Sequence, residues 1–344
     1  MTLQVGIVGA GRAGYRKANV LQSHPDVRIA GVADPNRPIR DTFASKFGIR
    51  LAVSDHRRLS ADENIDAIYI CTPPATHHSI AMDALTAGKH VVIEQPIAMS
   101  INDGEEMMAA AEVHSLVLAV ALPQRYDPAN QEAARIMDSD EIGYPFLTIS
   151  SYLENELDRM NDWHDWIGTW DMGGGGILMQ RGSEIIDLLR YLLGDIGAVS
   201  AVNSRFAITP LNKAEDSCML GIEFVEDVTA EVALTAAARY STWPESYSGT
   251  AFRVEIYGVD GSIRITNSEP KLAVVSRKGG SRTLDSSEIN TGLPTNMDRD
   301  FIDCMINGTK PLVTSEDALE ALRAVLSGYK SSQMKRRVEI LEQV

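Results

Sequence analysis

A doubly wound parallel α/β sheet followed by an open, mainly antiparallel α+β sheet is the fold class predicted for this 344-residue chain, on three observations. Short apolar runs alternate with helix-like stretches as far as about residue 121. A glycine cluster, Gly9-Ala10-Gly11-Arg12-Ala13-Gly14, separates the first run from the first helix. Beyond residue 121 strand-like runs follow one another with few helices between them. Alternating strands and helices bury a parallel sheet on both faces, whereas successive strands pair antiparallel. Domains are therefore expected at 1–122 and 123–344.

The first strand is Leu3-Gln4-Val5-Gly6-Ile7-Val8 and the helix after the glycines starts near Tyr15. This is G-x-G-x-x-G between a buried strand and a helix, the dinucleotide fingerprint of a Rossmann fold. In it Gly9 permits a tight turn, Gly11 brings no Cβ against a pyrophosphate, and Gly14 lets helix and strand approach. The phosphates would lie over Arg12, Ala13 and Gly14, on the N–H groups and positive dipole end of the helix. A second strand, Arg28 to Ala33, ends in Asp34, twenty residues beyond Gly14. An acid there accepts hydrogen bonds from the adenosine ribose and repels a 2′-phosphate. NAD is thus expected over NADP, with Arg37 and Arg40 close enough to keep the second open.

Two further parallel-type strands are Ala67 to Cys71, leading into Thr72-Pro73-Pro74, and His90 to Ile93. Between them a helix from about Ser79 to Ala87 stops at Gly88. Ligands bind beyond the carboxyl ends of such strands, which is where Thr72, Pro73, His77, Glu94 and Gln95 fall.

Apolar residues make up 44% and charged residues 23%, as in an ordinary globular protein. The net charge of −15 disfavours nucleic acid or an anionic membrane as partner. With a strand at its start and no run fit to span a bilayer, the sequence reads as cytoplasmic. Cys71, Cys218 and Cys304 are widely separated and have neither metal nor redox spacing.

In the second half, strand-like runs lie at Phe146 to Tyr152, Ala198 to Ile208, Cys218 to Phe224, Thr229 to Ala237 and Phe252 to Tyr257. Gly258-Val259-Asp260-Gly261 turns the last of these into Ser262 to Thr266, as in a hairpin. A helix from about Ile177 to Leu193 interrupts the strands, and two more, near Met297 to Ile306 and Ser315 to Lys330, follow them. The run Gly173 to Gly176 reads as a loop lying against a ligand. An open sheet leaves one face to be covered, most simply by a second copy, giving a dimer or tetramer.

Together the Gly9–Gly14 cluster, Cys71-Thr72-Pro73-Pro74 with His77, and Ala87-Gly88-Lys89-His90-Val91-Val92-Ile93-Glu94-Gln95-Pro96 resemble the glucose-fructose oxidoreductase / inositol dehydrogenase / MocA (Gfo/Idh/MocA) family. So do Gly174-Gly175-Gly176 with Gly182 and Asp187, and Leu193-Gly194. The resemblance covers nearly the whole chain. It implies an NAD-dependent oxidoreductase acting on a secondary hydroxyl or ketone of a sugar, inositol or similar polyol. In the family a Glu-Lys-Pro lysine bonds substrate and cofactor, and an Asp or Asn with a His four residues later completes the site. Here those three positions carry Gln95, Gln180 and Glu184.

Hydride transfer from an alcohol needs a base for the hydroxyl proton. Amides do not titrate usefully, so Gln95 and Gln180 are expected to position a ligand instead. Glu184 is a candidate base, against the alternative of a carboxylate paired with Arg181. His164, in Asp162-Trp163-His164-Asp165-Trp166, is the other titratable candidate, with Asp165 to orient it. Trp163, Trp166 and Trp170 would either stack on a sugar ring or pack a loop. Arg125 would hold a carboxylate or cofactor group, or form a salt bridge between domains. Two alternatives stand beside the dehydrogenase: a silent regulator that binds NAD and ligand, and a lyase or glycosidase that oxidises and re-reduces one carbon with no net redox change.

Overall fold

The computed structural model describes residues 2–238 and 250–340. The chain forms two compact units: residues up to Leu122 with Asn296–Leu319, and Pro123–Thr295 with the residues from Glu320 onward.

In the first unit strands and helices alternate: β1 Leu3–Val8, α1 Arg12–Gln22, β2 Val27–Ala33, α2 Arg37–Phe47, β3 Leu51–Val53, α3 Arg57–Ser60, β4 Ala67–Ile70, α4 His77–Thr86, β5 His90–Glu94, α5 Ile101–Val113 and β6 Leu118–Ala121. Every strand pairs parallel, in the order β3-β2-β1-β4-β5-β6. The order reverses beside β1, which makes the end of that strand the topological switch point where ligands bind. Val5, Ile7, Ile68, Tyr69, Ile70, Val91 and Ile93 are sealed from solvent, so the sheet is buried on both faces as its apolar runs predict. Local signals set the helix ends. Asn36 accepts from the Ile39 N–H to start α2, and Gly48, at φ +66°, ends it.

The second unit begins with α6 Pro128–Asp138, β7 Pro145–Glu154, α7 Leu157–Met160, α8 Trp170–Gly173 and α9 Ser183–Leu193. The strands β8 Ile196–Ser204, β9 Ser217–Phe224, β10 Thr229–Thr235, β11 Thr250–Gly258, β12 Gly261–Thr266, β13 Leu272–Ser276 and β14 Gly280–Leu284 follow. After α10 Met297–Asn307, in the first unit, and α11 Ser315–Met334 comes a short strand, β15 Val338–Glu339. One sheet of nine strands results, ordered β14-β13-β12-β11-β7-β10-β9-β8-β15. In β9 and β10 buried and exposed residues alternate, so one face meets a core and the other does not. The expected hairpin is present, with Gly258 opposite Gly261.

Three details differ from expectation. The strand predicted to run to Ile208 stops at Ser204, because Asp216 draws in the Ala207 and Ile208 N–H groups at 2.7 and 3.2 Å. β7 and β10 pair in parallel inside an otherwise antiparallel sheet. The helix predicted from Ile177 to Leu193 opens with a wide π-turn, Leu178–Gly182, before it becomes α9.

Candidate functional site

The glycines after β1 have separate causes. A Cβ on Gly9, at φ +97°, would stand 2.5 Å from the Cys71 carbonyl oxygen, and one on Gly14 would stand 2.1 Å from the Gly9 carbonyl oxygen. Packing alone demands both. Gly11 differs: its φ of −81° and ψ of −163° suit any residue, and a Cβ there meets no protein atom within 4 Å. Packing within the protein therefore leaves this position open. Gly11 also caps α1 without a side-chain hydrogen bond, so the first turn, Arg12 to Gly14, offers the N–H groups and partial positive charge of a helix start.

Beside this turn the tip of β2 presents Asp34. One carboxylate oxygen accepts from the Ala10 N–H at 2.9 Å and the other from the Asn36 N–H at 2.8 Å. These bonds fix the group next to the glycine loop with lone pairs left to accept from a diol. Arg40 donates to the Asp34 carbonyl at 2.9 Å, whereas Arg37 is largely exposed and bonds Asp41 at 3.3 Å. The bare Gly11, the uncapped helix start and the anchored Asp34 together fit an adenine dinucleotide with a free ribose diol.

At the ends of β4 and β5 stand Thr72, Pro73, Glu94 and Gln95. Thr76 donates to the Thr72 hydroxyl at 2.7 Å, which ties down that loop. His77 is fully buried, its ring nitrogens 2.9 Å from the Pro96 and Thr72 carbonyl oxygens. Burial pulls its pKa below the usual imidazole value, so the neutral ring donates to one of these carbonyls and packs between the two loops instead of facing a ligand. Sequence reasoning missed Lys17. This buried residue of α1 donates to Asp298 of α10 at 2.8 Å and lies 4.0 Å from Glu94. Burial opposes its charge, but Asp298 and Glu94 win and its pKa is raised.

In the second unit, Gln180, Glu184 and Asp187 are all buried along the π-turn and α9. Arg181 links them to β7. It donates to Glu184 at 3.0 Å and grips both Glu154 oxygens at 3.0 and 3.1 Å. Burial works against the Arg181 charge, but Glu184 and Glu154 hold the guanidinium firmly protonated. Burial pushes the Glu154 carboxyl above its usual range, with Arg181 opposing. The pairing of Glu184 with Arg181 that the sequence allowed is thus present. Glu154 was not foreseen, although inward alternation along β7 through Thr148, Ser150 and Tyr152 leads to it.

Arg125 donates through Nε and Nη2 to the two Asp187 oxygens at 3.0 and 2.6 Å, and Asp187 has no exposed surface. Both residues lie in the second unit, so this is not the inter-domain bridge considered for Arg125. His164 is 96% exposed in its side chain and contacts Asp162 at 3.2 Å. Asp165, expected to orient it, is bound instead by Arg159 at 2.7 Å. His164 thus stands at the surface, whereas Gln180 and Glu184 are buried. Trp163 and Trp170 are more than half exposed, and Trp170 meets the Tyr329 ring edge-on at 5.1 Å.

Two glycines of the run from Gly173 to Gly176 need no ligand to explain them. A Cβ on Gly175 would lie 2.0 Å from the Tyr329 hydroxyl, and one on Gly176 would lie 1.8 Å from the Glu215 carbonyl oxygen. Protein atoms already fill the space a side chain would take.

Comparison with known proteins agrees with this geometry. Residues 3–122 match the profile of an oxidoreductase family with an NAD-binding Rossmann fold, and residues 130–264 match the GFO/IDH/MocA C-terminal domain. An uncharacterized oxidoreductase of Bacillus subtilis, YrbE, is 30% identical over 80% of this chain and 78% of its own. The scyllo-inositol 2-dehydrogenase (NAD(+)) of the same organism is 27% identical over 92% and 90%. A levoglucosan dehydrogenase solved with NADH and levoglucosan superposes with a TM-score of 0.86 over 99% of this chain and all of its own; at 24% identity it shows the fold alone. No helix among the described residues is long and apolar enough to cross a membrane. Two matched domain profiles and a relative aligned over most of its length establish that this chain belongs to the GFO/IDH/MocA family, as an NAD-dependent oxidoreductase.

Proposed function

We propose that the protein is a dehydrogenase moving hydride between NAD and a secondary hydroxyl or ketone of a sugar, inositol or related polyol. The observation that carries this reading is Gly11, bare where no protein atom requires it, beside an anchored Asp34. When bound, the nicotinamide accepts or returns the hydride. Gly9 to Gly14 hold its pyrophosphate, Asp34 its ribose, and Thr72, Pro73, Glu94 and Gln95 the loops beyond β4 and β5. NADP is disfavoured by the Asp34 carboxylate. A relative named for scyllo-inositol supports a hydroxyl-rich ring as substrate.

The second unit would bind that ring. Gln180, like Gln95, pairs a donor with an acceptor, which suits a hydroxyl but moves no proton. Glu184 is the base in this reading, its carboxylate oriented by Arg181 at 3.0 Å. His164, exposed beside Asp162, is the second candidate. Glu184→Gln is expected to lower kcat by about a hundredfold or more, the usual contribution of a positioned base. Near-normal turnover in that variant would move the role to His164, which His164→Ala then tests.

The first experiment is a thermal-shift titration with NAD, NADH, NADP and NADPH. Binding only to the folded state raises the melting temperature, by about 2.7 kcal/mol of stabilisation at a hundred times Kd. Shifts with NAD and NADH but not the phosphorylated pair are expected, followed by NADH formation in a sugar and polyol screen. No shift with any nucleotide would end this reading. A shift without turnover of any polyol would favour the silent binder.

Self-association belongs to the same proposal. The uncovered face of the nine-stranded sheet exposes Ile149, Val202, Met219 and Val275, an apolar set that a second copy would cover.

A further inference from the structure

Three separate chain regions meet at the start of the π-turn. Just before β9, Glu215 is 5% exposed and accepts from the Gly176 N–H at 3.2 Å, the Leu178 N–H at 3.0 Å and the Tyr329 hydroxyl at 2.7 Å. The Tyr329 oxygen, from α11, in turn accepts from the Gly176 and Met179 N–H groups at 3.2 and 3.1 Å. The first N–H groups of a helix have no partner within it. Here a buried carboxylate and a phenol supply partners, one residue ahead of Gln180. A buried carboxylate is costly unless fully hydrogen-bonded, and Glu215 is bonded through both oxygens. Gly175 and Gly176 admit no side chain because this pair occupies the space.

A wide turn inserted in a helix alters the direction of every side chain on it relative to the α-helix that follows. Where Leu178–Gly182 begins therefore decides where the Gln180 amide points relative to Glu184. The Glu215 and Tyr329 bonds to Gly176, Leu178 and Met179 fix that beginning. We infer that Glu215 and Tyr329 are positioning residues for Gln180: they clamp the start of the π-turn so that its amide meets the substrate hydroxyl. The inference rests on the dehydrogenase reading for the role of Gln180. The clamp itself stands on the geometry of the second unit.

Two variants separate this from a merely structural role. Tyr329→Phe removes one oxygen and keeps the ring against Trp170. Glu215→Gln keeps the shape but turns an acceptor into a donor facing N–H groups. With NAD saturating and a polyol turned over by the wild type, each is expected to raise KM about tenfold, the loss of one well-made hydrogen bond to substrate. The NADH-induced thermal shift stays as in the wild type. Combined with Gln180→Ala, Tyr329→Phe should cost almost nothing further, since residues acting through one another are not additive. Additive costs would overturn the proposal. A crystal structure of Tyr329→Phe serves as the second measurement, and it needs no activity. A displaced Gln180 amide supports the clamp; an amide in its wild-type position overturns it. If the wild type turns over no polyol, the dehydrogenase reading falls on that result, and the crystal comparison alone decides the clamp.

Discussion

Gly11→Val is expected to leave the melting temperature of the nucleotide-free protein nearly unchanged and to abolish the rise produced by NADH. The backbone there, at φ −81° and ψ −163°, accepts a β-branched residue, and a Cβ meets no protein atom within 4 Å. Replacing glycine by an apolar residue at a helix cap costs about 1 kcal/mol, which in a protein of this size is about 1–2 °C. The same side chain would occupy the space through which a pyrophosphate approaches the first turn of α1. Saturating NADH should then give none of the roughly 2.7 kcal/mol expected at a hundred times Kd. Gly14→Ala is the control with the opposite signature. Its methyl would stand 2.1 Å from the Gly9 carbonyl oxygen, so backbone must move and the fold itself should lose about 3 kcal/mol or more. If Gly11→Val keeps a full NADH shift, the pyrophosphate does not pass Gly11 and the placement of the cofactor on the glycine cluster fails.

These glycines also mark where the sequence is legible. The fingerprint around Gly9, Gly11 and Gly14 is local: strand, turn and helix are contiguous, and Asp34 follows at a fixed distance along the next strand. Nothing remote is needed to read it. The run from Gly173 to Gly176 looks equally like a ligand cradle, yet at Gly176 and Gly175 the cause is Glu215 and Tyr329, about 40 and 150 positions away. The same limit applies to the π-turn. Apolar spacing predicts a helix through Leu178–Gly182, but an extra residue in one turn leaves the apolar pattern nearly intact. The parallel pairing of β7 with β10 is long-range too, and alternation along each strand reveals its buried face but not its neighbour. Among the candidate site residues, the three unusual positions were visible because a motif surrounds each. The Arg181 partner of Glu184 was visible one turn away, whereas Glu154 needed the fold, since only strand β7 brings that glutamate to the arginine.

Arg125→Met is the substitution with the largest expected cost to stability, about 3–5 kcal/mol. Asp187 has no exposed surface, and both its oxygens accept from the Arg125 guanidinium, at 3.0 and 2.6 Å. Removing the cation leaves a desolvated carboxylate, which is far more damaging than the net worth of the pair. Asp187→Leu added to Arg125→Met should therefore recover most of the loss, because an apolar pair of similar volume often matches a buried ion pair. Urea denaturation of the single and double variants measures this directly, with a coupling energy well outside the error of the singles. The alternative seen in the sequence, Arg125 as a ligand for a substrate carboxylate, gives the reverse pattern: stability nearly intact, substrate KM raised, and no recovery from Asp187→Leu. The bidentate geometry already satisfies the guanidinium edge that a ligand carboxylate would use, so the structure favours the first outcome. Arg125 then contributes to the site by holding α9, the helix that carries Glu184, against the turn before α6.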